Sequence, residues 1–94
     1  MAKLSEDAIQ AALTQMPGWS VADGALRKAY RFSTFPDGVA FVNRVADLAE
    51  DMGHHPDIDI RYSTIIVSLS THDEGGITEK DTTLVRRIEG LLGR

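Results

Sequence analysis

Apolar positions along the chain follow two spacings, and the switches between them mark out the elements. Ile9, Ala12, Leu13 and Met16 recur every three or four residues, the spacing of a helix with one apolar side. Ser5 is placed to cap that helix, Glu6 and Asp7 sit at the positive end of its dipole, and Pro17-Gly18 ends it. From Trp19 the period shortens to two. Trp19 to Ala22, an Asp23-Gly24 turn, and Ala25 to Phe32, with Leu26, Tyr30 and Phe32 on one face, predict a β-hairpin. Lys28 falls on that same face, so either its stem snorkels at the sheet margin or the register is imperfect.

The helical period returns after Thr34, which with Asp37 forms a capping pattern that tolerates Pro36 in the first turn. Phe41, Val42, Val45, Leu48, Ala49 and Met52 make the apolar stripe of a long helix, Gly53 suits the left-handed residue that closes it, and Pro56 confirms the break. Next, Ile58, Ile60 and Tyr62 alternate with Asp57, Asp59 and Arg61, and Ile65, Val67 and Leu69 alternate with Ile66, Ser68 and Ser70. This is a second pair of strands. Thr78 with Asp81 repeats the capping pattern before the stripe Leu84, Val85, Ile88, Leu91 and Leu92 of a third helix. The order α-β-β-α-β-β-α, with short links between paired strands, predicts an α+β two-layer sandwich: a four-stranded antiparallel sheet with three helices on one face. The two β-β-α halves match in length but not in residues, a likeness of topology rather than of sequence.

The 94 residues have room for one domain, 1–94, and one core. With 43% apolar and 26% charged residues the chain should fold. Because it is short and has no cysteine to form disulfides, self-association is an expected source of extra stability. A net charge of -4 argues against a binder of nucleic-acid phosphates, which needs clustered Lys and Arg. The start, MAKLSEDAIQ, is acidic within seven residues and lacks the head and apolar run of a secretion signal, and no stretch approaches the roughly 20 apolar residues of a membrane span. The expected compartment is the cytoplasm.

All three histidines lie within 19 residues: His54 and His55 just past the second helix, and His72 where the fourth strand runs into a loop. Such junctions often carry active-site residues, and imidazole exchanges protons near neutral pH, so converging rings could serve as acid and base together. The plainer alternative is an exposed His-His-Pro turn and a strand-end histidine bonded to backbone. Three imidazoles could also hold a catalytic zinc, but adjacent residues diverge and no His-x-His or His-x-x-x-His pair is present, so no metal is expected. Nucleophilic catalysis lacks a cysteine or a serine in an elbow context, and Gly75-Gly76 lacks the Lys-Ser or Lys-Thr of a phosphate loop.

The run Glu50-Asp51-Met52-Gly53-His54-His55-Pro56, then Tyr62, Ser70-Thr71-His72 and Asp81, closely resembles the signature of the pterin-4a-carbinolamine dehydratases. The similarity extends from Pro17-Gly18-Trp19 through Ala40-Phe41 and Arg44-Val45 to Thr78-Glu79-Lys80-Asp81. This resemblance implies an enzyme that converts 4a-hydroxytetrahydropterin to quinonoid dihydropterin and water without cofactor or metal. Carried over by position, His54 and His72 would be acid and base, and His55 would bind and orient the pterin. Glu50 and Asp81 would tune or hold the imidazoles, with Ser70, Thr71 and Trp19 shaping the pocket. Asp81 could equally be a simple capping carboxylate, Trp19 a core residue, and Glu50 a solvated partner of His54 one turn away. The chain departs from some relatives in having Gly53 before the histidine pair and Glu74 two residues after His72. The resemblance also implies a homodimer or homotetramer, and it leaves open a non-catalytic assembly or dimerisation role on the same fold.

Overall fold

The structure, a computed structural model, describes residues 2–93. Its elements run α1 (Glu6–Leu13), β1 (Ser20–Ala22), β2 (Ala25–Arg31), α2 (Phe35–Met52), β3 (Asp57–Arg61), β4 (Thr64–Leu69), a short 3-10 turn (His72–Glu74) and α3 (Glu79–Leu91). The order is the expected α-β-β-α-β-β-α with that turn added. All strand pairs are antiparallel and the sheet order is β1-β2-β4-β3, so the two longest strands lie at the centre. This is the α+β architecture that the periodicities predict.

Register explains where the core sits. Leu26 pairs with Leu69, Lys28 with Val67 and Tyr30 with Ile65, and Ile58 and Ile60 of β3 continue the same face opposite Val67 and Ile65. On that face Leu26, Ile65, Val67 and Leu69 are fully buried and meet Phe41 and Val45 from α2 and Leu84, Val85 and Ile88 from α3. Ile9, Ala12 and Leu13 of α1 pack against this cluster from its margin. The other face carries Arg27, Arg31, Asp57, Asp59 and Arg61. No helix among the described residues is long and apolar enough to cross a membrane.

Lys28 settles the question of register. The pairing is regular, and the side chain lies on the core face, where its ammonium passes over the Tyr30 ring, 4.7 Å from the centroid, and donates to the Pro17 carbonyl and to Glu89 at 3.0 Å each. Gly18, at φ +85°, leaves room for this: a Cβ there would lie 2.8 Å from the Lys28 Cε. Two expectations shift at element ends. Met16 is buried in the core but lies beyond α1, in a last turn tightened by a Met16 N–H bond to the Leu13 carbonyl, because Pro17 disfavours helical backbone at the residue before it. Tyr62 does not extend β3; it occupies the tight turn into β4 at φ +54° and is 74% exposed.

Candidate active site

Two chain breaks and one helix start converge here. Helix α2 stops at Gly53, whose φ of 62° lets its N–H bond back to the Ala49 and Glu50 carbonyls and throws the following residues off the helix axis. His54 and His55 therefore leave the helix end in different directions. Across from them, β4 runs out through Ser70 and Thr71 into a loop closed by two backbone bonds between Thr71 and Gly76, of 2.8 and 3.3 Å, with His72 at its start. Helix α3 begins beside both, capped by Thr78.

Asp81, the third residue of α3, ties the three pieces together. It is fully buried. Its Oδ2 accepts the Thr78 backbone N–H and the Thr71 hydroxyl, both at 2.9 Å, and its Oδ1 lies 2.5 Å from His54 Nε2. The capping role and the imidazole role thus coexist on one carboxylate, one oxygen for each. Proton bookkeeping follows from the donors. The Lys80 N–H donates to the Thr78 hydroxyl at 3.2 Å; with the Thr71 proton on Asp81, Thr78 must donate to Thr71 across 2.8 Å. Every donor in this chain points toward Asp81, which leaves the carboxylate as acceptor for His54 Nε2–H. Neutral His54 then keeps its lone pair on Nδ1.

His54, His55 and His72 line one cleft of about 260 Å³ together with Gly53, Ser70, Thr71, Asp73 and Lys80. His54 is the most enclosed of the three, its side chain 10% exposed. His55 is exposed and pairs through Nε2 with Glu50, also exposed. Glu50 therefore holds His55 rather than His54, because the left-handed Gly53 rotates the chain past the simple one-turn spacing. An ion pair this open to water contributes little stability. His72 is exposed at the rim, and among the described residues no side chain pairs with its ring. Among the described residues, no group of three or more His, Asp or Glu side chains is arranged to hold a metal ion.

Trp19 is not brought to this cleft. It is 6% exposed in the core, edge-on to Tyr30 with ring centroids 6.1 Å apart, and its indole N–H donates to Glu89 at 3.4 Å. Glu89 also accepts from Lys28 and from the Tyr30 hydroxyl. Burial pushes the Glu89 carboxyl up, but the Tyr30 and Lys28 hydrogen bonds, the Lys28 charge and the Trp19 N–H outweigh it and hold Glu89 below the ordinary carboxylate value. A larger cavity of about 610 Å³ opens beside Glu89, between Gln15–Gly18 and α3. Its lining contains no histidine, whereas the smaller cleft is lined by all three. Sequence reasoning missed Asp73 and Lys80 as cleft residues, although each is the immediate neighbour of a singled-out residue, His72 or Asp81.

Comparison with known proteins converges on one family. The family model described as Pterin 4 alpha carbinolamine dehydratase matches residues 2–91. A Mycolicibacterium vanbaalenii protein, provisionally named pterin-4-alpha-carbinolamine dehydratase, is 53% identical over 93 residues, covering 99% of this chain and 100% of its own. The crystal structure of a transcriptional coactivator/pterin dehydratase from Brucella melitensis superposes with a TM-score of 0.91 at 31% identity, covering 95% of this chain and 97% of that one. A pterin dehydratase-like protein, described as a RuBisCO assembly factor of the alpha-carboxysome, shares the fold at a TM-score of 0.64 and 24% identity, with coverage of 80% and 87%.

Proposed function

Because the chain belongs to the pterin-4a-carbinolamine dehydratase family, we propose that it dehydrates 4a-hydroxytetrahydropterin to quinonoid dihydropterin and water by histidine acid-base catalysis. The observation that carries this reading is the buried Asp81–His54 pair opening onto a cleft that His55 and His72 share. The reaction removes a hydroxyl from C4a and a proton from the neighbouring ring nitrogen, so it needs one acid and one base placed at adjacent atoms. His54 is the base. Its Nε2–H is held by Asp81, its Nδ1 lone pair is available, and the carboxylate supplies a counter-charge once the ring is protonated. His72 is the acid at the leaving oxygen, and the next turnover begins when solvent has restored both protonation states. His55, braced by Glu50, orients the pterin. Ser70 and Thr71 form the polar wall of the cleft, and Thr71 also fixes Asp81.

At about 260 Å³ the cleft lies just below the roughly 300–1,000 Å³ of ordinary ligand pockets, a size that suits a flat bicycle. No metal or organic cofactor enters this reading. As part of this reading the enzyme works in the cytoplasm on material delivered by a pterin-dependent hydroxylase, as a homodimer or homotetramer. A purely non-catalytic role draws on the names of the two solved structures, a transcriptional coactivator/pterin dehydratase and a RuBisCO assembly factor, and it would leave the histidine network without a task.

The test is direct. Dehydration of freshly generated 4a-hydroxytetrahydropterin, followed by ultraviolet absorbance at neutral pH, should be faster with the protein than in buffer. Equal rates would refute the enzymatic reading.

A further inference from the structure

The cleft holds two charged side chains that the acid-base chemistry does not use. Asp73 and Lys80 both line it. Each is exposed, and neither has an ion-pair or side-chain hydrogen-bond partner among the described residues. The other carboxylates nearby are committed: Asp81 to His54, Thr71 and Thr78, and Glu50 to His55. Both free charges ride on fixed backbone. Asp73 sits in the 3-10 turn, pinned by the Thr71–Gly76 bonds and by the Gly75 N–H donating to the His72 carbonyl at 3.0 Å. Lys80 is the second residue of α3, its amide anchored on the Thr78 hydroxyl at 3.2 Å.

A pterin presents the complement of this pair. The pyrimidine edge of its bicycle carries two donors side by side, the 2-amino group and N3–H, followed by one acceptor, the 4-oxo oxygen. A carboxylate can take both donors at once, and an ammonium can donate to the oxo group. We infer that Asp73 and Lys80 read the pyrimidine edge of the substrate, Asp73 accepting from the 2-amino group and N3–H and Lys80 donating to the 4-oxo oxygen. This rests on the dehydratase reading. It assigns substrate selection to residues other than the histidines: Asp73 rejects a pteridine whose 2-position bears an oxygen, because that acceptor would face the carboxylate.

Equilibrium fluorescence titration with two probes, pterin (2-amino-4-oxo) and lumazine (2,4-dioxo), tests it. Wild type should bind pterin about 10- to 100-fold more tightly than lumazine, the range for a charge-assisted hydrogen bond. In Asp73→Asn that preference should shrink to about threefold or less, since an amide can face either group. Lys80→Met should weaken both probes by a similar factor and leave their ratio unchanged, because both carry the 4-oxo group. Unchanged circular dichroism of both variants would confirm that they fold. A wild-type ratio near one, or a ratio untouched by Asp73→Asn, would overturn the inference while leaving the dehydratase reading intact if wild type still binds pterin and accelerates dehydration. Failure of wild type to bind either probe would overturn the inference, and only absence of accelerated dehydration would overturn the dehydratase reading.

Discussion

Asp81 and Glu89 lie on the same helix, about 12 Å apart along its axis at 1.5 Å per residue, and both are buried carboxylates fed by several donors. Their partners make them different devices. Glu89 is matched by the Lys28 ammonium, with Tyr30 and Trp19 completing the set. The carboxylate at Asp81 takes two neutral donors, Thr71 and the Thr78 amide, and the partner that can change its charge is His54, which reaches the cleft. Burial and hydrogen bonding are therefore common to a lock and to the proposed catalytic pair. What separates them is whether the partner can gain and lose a proton where a substrate can meet it.

Breaking the lock should have the largest effect. Glu89→Gln removes the counter-charge of the Lys28 ammonium and leaves it the Pro17 carbonyl and the Tyr30 ring face, and removing one member of a buried pair costs about 3 kcal/mol or more. In a small domain that should appear as a drop of many degrees in melting temperature, measured by calorimetry, with turnover per folded molecule within about twofold of wild type. Breaking the proposed catalytic side should act on the rate. His54→Ala and His72→Ala should each slow dehydration per folded molecule by about 10²-fold or more, His72→Ala with little change in melting temperature because its ring has no side-chain partner among the described residues. Equal, slight losses at all three histidines would refute the division of labour between them.

Acid sharpens the contrast. Glu89 is held below its unfolded value, near 4.5, so its contribution to stability is complete above about pH 4.5 and is lost as pH falls through the folded value. Wild type should therefore lose more stability than Glu89→Gln on going below that pH, and parallel curves would contradict the assignment. The smallest effect belongs to His55. Held only by an exposed pair with Glu50, it should on change to Ala raise KM several-fold and leave kcat within about threefold.

Much of this contrast could be read before the structure, and the unread part has a physical reason. Stripes such as Phe41, Val45 and Ala49, the alternation of Ile65, Val67 and Leu69, and the Thr78–Asp81 cap are local patterns, and they predicted the elements and the layer they form. The histidines stood out by residue type and by likeness to a family. Glu89, in contrast, looks like an ordinary polar residue of α3; its partners are 59 to 70 residues away, so only the register of β2 and the packing of α3 bring them together. Lys28 looked like a fault in an apolar face for the same reason. Helical spacing places Glu50 one turn before His54, but it pairs with His55, because one left-handed residue, Gly53, changes the angular spacing that a continuous helix would have. For Trp19 the family likeness implies a pocket wall and its residue type equally a core position, and its ring packs in the core on Tyr30.

The central claim is that Asp81 works through His54 whereas Glu89 only holds the fold. Dehydration kinetics of Asp81→Asn and Glu89→Gln in one assay, corrected for the folded fraction, address it most directly. Asn keeps the shape of Asp81 but removes the charge that faces the ring, so kcat should fall by about 10²-fold or more in Asp81→Asn and stay near wild type in Glu89→Gln. A folded Asp81→Asn protein with wild-type turnover would contradict the account.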